Sequence, residues 1–154
     1  MRHKLDYIER ICNEADIICL TETHLDQNIT NDGIFLEGYC NDPFRKYRNN
    51  SGEDVIVYFS NHVIVKPRTD LDFDSEAIWM EIYFPAYKMI ICVVYRQPNE
   101  NYPFWDKFHQ SVDNATNYSS NVVITGDLNV DVLSEQSHNL VDIMRLNDLK
   151  KHDY

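Results

Sequence analysis

Asp127 and Asn129 are the residues whose types and spacing most directly suggest chemistry, standing two apart at the end of the stretch NVVITGDLNVD. In extended chain, residues i and i+2 point to the same side, so a carboxylate and a carboxamide would project together from a strand end. A carboxylate orients or deprotonates a water and an amide holds an oxygen, which together suit the hydrolysis of a phosphate ester. Val122, Val123 and Ile124 read as a short buried strand leading to this pair. Gly126 removes side-chain bulk where the strand leaves the sheet, for a turn or a close approach, and Leu128 turns the other way into the core. The same letters also describe a strand followed by an ordinary Asp/Asn turn, and GDLN alone does not choose between the two. Glu22 sits just past a second apolar run, Ala15 to Leu20. That is where α/β proteins place ligand-binding groups, although a solvated loop residue has the same appearance.

The elements that must hold these residues follow from periodicity. His3 to Glu14 carries Leu5, Ile8, Ile11 and Cys12 at helical spacing, and Ala15 to Leu20 then reads as a buried strand. Residues 26–53 are polar and turn-rich and read as a surface-wrapping loop, with Arg45, Lys46 and Arg48 interleaved with Phe44 and Tyr47. Such a basic and aromatic loop could touch nucleic acid or simply be solvated. Val55–Phe59 and Val63–Val65 read as strands joined through Ser60, Asn61 and His62. Ala77–Phe84 alternates, with Ile78, Met80, Ile82 and Phe84 on one face and Trp79, Glu81 and Tyr83 on the other. Residues 85–88 form a turn, and Met89–Tyr95 is apolar enough to be covered on both faces. Pro103 opens a helix with Phe104, Phe108 and Val112 on its buried side. A last helix follows, with Ser134 as N-cap and Leu140, Ile143, Met144 and Leu146 as its apolar stripe. Hairpins combined with crossover helices predict an α/β fold with a mixed sheet or a pair of sheets clad by helices.

At 154 residues the chain has the length of one domain, and a hydrophobic content of 44% marks it as globular. No apolar run approaches the roughly 18 residues of a membrane span. The charged opening MRHKLDYIERICNEAD is unlike a signal peptide, and the four cysteines form no CxxC pair. An intracellular protein with reduced, buried cysteines is expected, nucleus and cytoplasm being undistinguished. The formal net charge of −11 is unusual for a protein that grips a phosphate backbone.

Four segments in order, ICLTETHL, EAIWMEI, VVYRQPN and GDLNVD, resemble the endonuclease/exonuclease/phosphatase superfamily, the deoxyribonuclease I-like fold. Within it they look most like the endonuclease domains of non-LTR retrotransposons, and the resemblance runs from about Lys4 to Leu149. It implies a four-layer α/β sandwich, two packed mixed sheets flanked by helices. It further implies a Mg²⁺ (or Mn²⁺) site with Glu22 as ligand. Asp127 matches the residue that activates water, Asn129 the amide on the scissile phosphate, and Tyr95 the tyrosine whose hydroxyl reaches that phosphate. Arg96 and Asn99 match possible further phosphate contacts. The implied reaction is in-line attack of water on a phosphodiester, with the cation as Lewis acid. DNA is the implied substrate of the complete domain, and a downstream reverse transcriptase domain is an implied neighbour in the full-length element.

Departures from the family pattern bound this expectation. The family opens on a strand with an asparagine metal ligand, ahead of the helix with which this chain begins. It later supplies an aspartate and a Ser-Asp-His stretch whose histidine works in the transition state. His152 and Asp153 follow Lys150 and Lys151 in the wrong order and read as tail, and His24 reads as packing around Glu22. The chain therefore reads as one incomplete domain over residues 1–154, lacking the first strand and the final third, and inactive as it stands. Two other readings stay open: a catalytically dead remnant or interaction module, and a lipid or inositol phosphate phosphoesterase of the same fold.

Overall fold

Two sheets lie face to face between helices, and the alternation of side chains along each strand explains why. The computed structural model describes residues 2–12, 14–23, 25, 28–47, 54–98, 103–131 and 137–151. The elements run α1 (Arg2–Cys12), β1 (Ile17–Leu20), β2 (Phe44–Tyr47), β3 (Asp54–Phe59), β4 (Ile64–Pro67), β5 (Glu76–Tyr83), β6 (Lys88–Tyr95), α2 (Pro103–Tyr118), β7 (Val122–Asp127) and α3 (His138–Leu146). The first sheet has the order β1-β3-β2 and the second β4-β5-β6-β7. The first is antiparallel throughout; the second is mixed, with β6 and β7 parallel.

Three apolar layers hold this stack together. Val55 and Val57 of β3 face Ile78, Met80 and Ile82 of β5 and Ile91 and Val93 of β6, forming the core between the sheets. The intervening Ile56 and Tyr58 face outward, under Leu5, Ile8 and Cys12 of α1. On the far side, Ala77, Trp79, Ile90, Cys92 and Val94 pack beneath Phe104, Trp105, Phe108 and Val112 of α2 and Ile143 of α3. β5 and β6 are thus apolar on both faces because both are covered, and each buried Ile or Val contributes roughly 1.5–3 kcal/mol. Ile11 stays exposed, since its helical angle carries it off the stripe of Leu5, Ile8 and Cys12.

Three expectations change. Residues 28–47 are more than a surface loop: Ile34, Leu36 and Tyr39 are buried beside α1. Tyr58 Oη donates to the Ile34 carbonyl (2.7 Å), and Tyr39 Oη to the Cys12 and Ala15 carbonyls (2.6 and 2.8 Å). Arg45 and Lys46 lie on a strand paired to β3, with Arg45 Nη1 bonded to the Ile29 carbonyl (2.9 Å) and Lys46 Nζ to Asp72 (3.4 Å). Those cations are spent on the fold; Arg48, the third, lies outside the described residues. Finally, β3 and β4 do not pair, because the chain between them crosses from one sheet to the other. Ser134 lies outside the described residues, and α3 begins at His138.

Glu81 is a buried charge that alternation alone would place on an ordinary outer face. It is 2% exposed and accepts from Lys88 Nζ (2.9 Å), Tyr83 Oη (2.8 Å) and Tyr118 Oη (3.1 Å). Burial pushes its carboxyl up, but the hydrogen bonds from Lys88, Tyr83 and Tyr118 outweigh this and hold it below the usual 4.5. A carboxyl lowered in the fold stabilises it above the unfolded value and loses that contribution as pH falls through the folded value. Urea titrations should therefore show stability falling below about pH 4.5, with a smaller fall in Glu81→Gln. An identical acid profile in the variant would remove Glu81 from that account.

Candidate active site

The C-terminal ends of β1, β6 and β7 bring the predicted residues to one end of the two sheets. Tyr95 closes β6 and is 3% exposed, its ring packed in the layer between the sheets. Its hydroxyl donates to Glu22 Oε1 at 2.6 Å, across 73 residues of sequence. Asp127 is the register partner of Tyr95 on the parallel neighbour β7, so its exposed carboxylate leaves the sheet one strand away. Asn129 joins them through the chain that leaves β6: its Nδ2 donates to the Arg96 carbonyl at 2.6 Å. Glu22, Tyr95, Asp127 and Asn129 thus converge, although they come from three strand ends.

Backbone geometry at this end is unusual at three positions. Gly126 has φ +124, and a Cβ there would stand 1.9 Å from the Val94 carbonyl oxygen. Only glycine fits, so the close approach expected at this position is real. Glu22 and Asn129 have φ of +52 and +48, in the left-handed region. For a glutamate this costs on the order of 1–2 kcal/mol, and such strain gathers at functional sites. The reason for the Asp127–Asn129 pairing also changes. Extended chain ends at Asp127, and the Asn129 N–H folds back to Asp127 Oδ1 at 2.8 Å. The pair is an Asx turn at the end of a strand, the Asp/Asn turn that these letters also describe.

Strand β7 is less buried than its sequence suggests. Val122 and Ile124 pack toward α2 and α3, as does Leu128, but Val123 is 42% exposed. Among the described residues β7 is an edge of its sheet.

Arg96 is 8% exposed. Its guanidinium lies on the α2 side of the sheet, with Nη1 donating to the Leu128 carbonyl at 3.2 Å. Asn99 and His24 lie outside the described residues. One group escaped the sequence reading: Glu76, at the head of β5, is the cross-strand partner of Tyr95 and only 2% exposed. Its signal was a carboxylate in the position where the alternation of Ile78, Met80 and Ile82 calls for an apolar residue. All four cysteines are free, and burial pushes the Cys19 thiol up to about 11 and Cys92 well above its usual range, which disfavours the thiolate in both.

The donor set fits a hard divalent cation that keeps most of its water. Glu22 is exposed, with one carboxylate oxygen held by Tyr95 and no described residue bonded to the other. Mg²⁺ is held by one or two carboxylates together with water and phosphate oxygens. Among the described residues no three His, Cys, Asp or Glu side chains stand together as an all-protein cage, which a structural zinc would require.

The two packed sheets flanked by helices define an α/β fold, and sequence comparison gives its family. The sequence pattern of the Endonuclease/Exonuclease/phosphatase family matches residues 1–152. The chain belongs to that family. Among solved structures it is similar to the endonuclease domain of TRAS1, a telomere-specific non-LTR retrotransposon, at 13% identity and a TM-score of 0.70, covering 94% of this chain and 65% of that one. It is also similar to the human Nocturnin catalytic domain with bound sulfate, at 16% identity and TM-score 0.55, covering 90% and 62%. A third is ANGEL2, a 2′,3′-cyclic phosphatase, at 16% identity and TM-score 0.53, covering 99% and 53%. The chain thus spans less than two thirds of each of these structures. No curated protein matches the sequence. Among the described residues no helix is long and apolar enough to cross a membrane.

Proposed function

We propose that this chain is part of a divalent-cation-dependent phosphodiesterase, of the kind that cuts DNA in retrotransposons. The observation that carries this reading is the convergence of Glu22, held by Tyr95, with the Asp127–Asn129 turn at one end of the sheets. Glu22 would hold Mg²⁺ (or Mn²⁺), which when bound supplies Lewis-acid stabilisation of charge on the phosphate. Asp127, exposed and one strand away, orients or deprotonates the attacking water. The Asn129 amide carries two N–H groups; one is given to the Arg96 carbonyl, which aims the other for a phosphate oxygen. Tyr95 holds Glu22 in place and borders the same space.

The domain organisation is part of the proposal. The chain spans 65% of the TRAS1 endonuclease domain, and the remaining third is read as carrying the rest of the catalytic unit. Groups that act as a unit are strongly non-additive, so part of such a site retains little rate. The test is nicking of supercoiled plasmid DNA at several Mg²⁺ concentrations, by this chain and by a version extended with its flanking coding sequence. The expected result is negligible nicking by the 154-residue chain and Mg²⁺-dependent nicking by the longer protein. Equal rates would sink the account of its incomplete chemistry. A second reading, hydrolysis of another phosphoester, draws on the likeness to a 2′,3′-cyclic phosphatase. A longer protein that ignores plasmid DNA but cleaves a member of a phosphomonoester and cyclic-phosphate panel would favour it.

A further inference from the structure

Arg96 follows Tyr95 directly and touches each of the three residues after Gly126. Its backbone N–H donates to the Asp127 carbonyl at 2.8 Å, its Nη1 to the Leu128 carbonyl at 3.2 Å, and its carbonyl accepts from Asn129 Nδ2 at 2.6 Å. The guanidinium carbon lies 5.0 Å from the Trp105 ring centroid and 5.8 Å from that of Phe104, both buried in the first turn of α2. The residue is 8% exposed. A planar cation stacked on aromatic rings while donating from its rim is a geometry that arginine supplies and lysine does not.

We infer that Arg96 is a positioning residue that clamps the Asp127–Asn129 turn to the start of α2. A left-handed residue persists only where its surroundings hold it, and Asn129 at φ +48 gives its amide to the Arg96 carbonyl while the Leu128 carbonyl before it is bonded to the guanidinium. The clamp sets where the Asn129 amide and the Asp127 carboxylate point. Its link to hydrolysis rests on the function proposed above, whereas the clamp itself is a property of the fold.

The test is amide hydrogen exchange by NMR on the 154-residue chain carrying Arg96→Met, which keeps the stem and removes the guanidinium. The Asn129 backbone amide should exchange about tenfold faster, while the amides that β6 and β7 share stay within about twofold of the parent chain. A residue that merely adds stability would move all of them together, and that result would overturn the inference. So would unchanged exchange at Asn129 coupled with weaker binding of a short DNA duplex by the longer protein, the signature of a phosphate contact. If Arg96→Met melts the whole fold, Arg96→Lys reads the same turn. Local acceleration there supports the clamp and unchanged protection refutes it. Local acceleration in a longer protein that cuts no phosphoester would leave the clamp standing and remove the proposed function instead.

Discussion

Replacing Asp127 by alanine in the longer protein will reduce Mg²⁺-dependent nicking by about 10³-fold or more, and Glu22→Gln will do the same without unfolding the domain. Both carboxylates are exposed, so neither carries the core. Asp127 accepts one hydrogen bond from the Asn129 N–H, whose loss costs about 1 kcal/mol. Glutamine at position 22 keeps an acceptor for the buried Tyr95 hydroxyl and removes the charge that a cation needs. Alanine there would remove the acceptor to which Tyr95 donates and would confuse lost chemistry with lost stability. Plasmid nicking read beside thermal melting separates the two. Variants that fold and still nick at the parent rate would remove these residues from the site.

Gly126→Ala will have the largest effect on stability, about 4 kcal/mol or more. The added Cβ would lie 1.9 Å from the Val94 oxygen and 2.9 Å from the Val94 carbon and nitrogen. These are backbone atoms inside a paired strand, so no side chain can swing aside to make room. The φ of +124 is itself one that an L side chain rarely adopts. Relief requires β7 to draw away from β6, which breaks the Val94–Gly126 and Tyr95–Asp127 pairs and displaces the carboxylate from the site. For a domain of this size the melting temperature should fall by roughly 10 °C or more. A variant melting within about 2 °C of the parent would show that the strands are not in such contact.

Much of this molecule was legible in the residues because periodicity is local. Alternating Val, Ile and Met mark β5 and β6, the stripe of Phe104, Phe108 and Val112 marks α2, and Gly126 announces a close approach. Four short motifs in order identified the family, and with it the residues to watch. The segment at 28–47 was less readable. Ile34, Leu36 and Tyr39 are buried without any regular spacing, and the strand carrying Arg45 and Lys46 exists because β3 lies beside it. The same holds for Glu81, whose burial depends on Lys88 from β6 and Tyr118 from the end of α2. Spacing also predicted Asp127 and Asn129 on one side for a reason that does not apply, since the chain turns between them.

Types and order of residues by themselves determined each described strand but β2, and placed Glu22 and Asp127 at strand ends. Only the tertiary structure decided that Tyr95 holds Glu22 across 73 residues, and that Arg96 faces α2 instead of solvent. The physical reason is that a hydrogen bond or a ring stack depends on where two distant backbones come to rest. Local preference sets the direction of each side chain from its own strand, but which group it meets is set by how the sheets and helices pack.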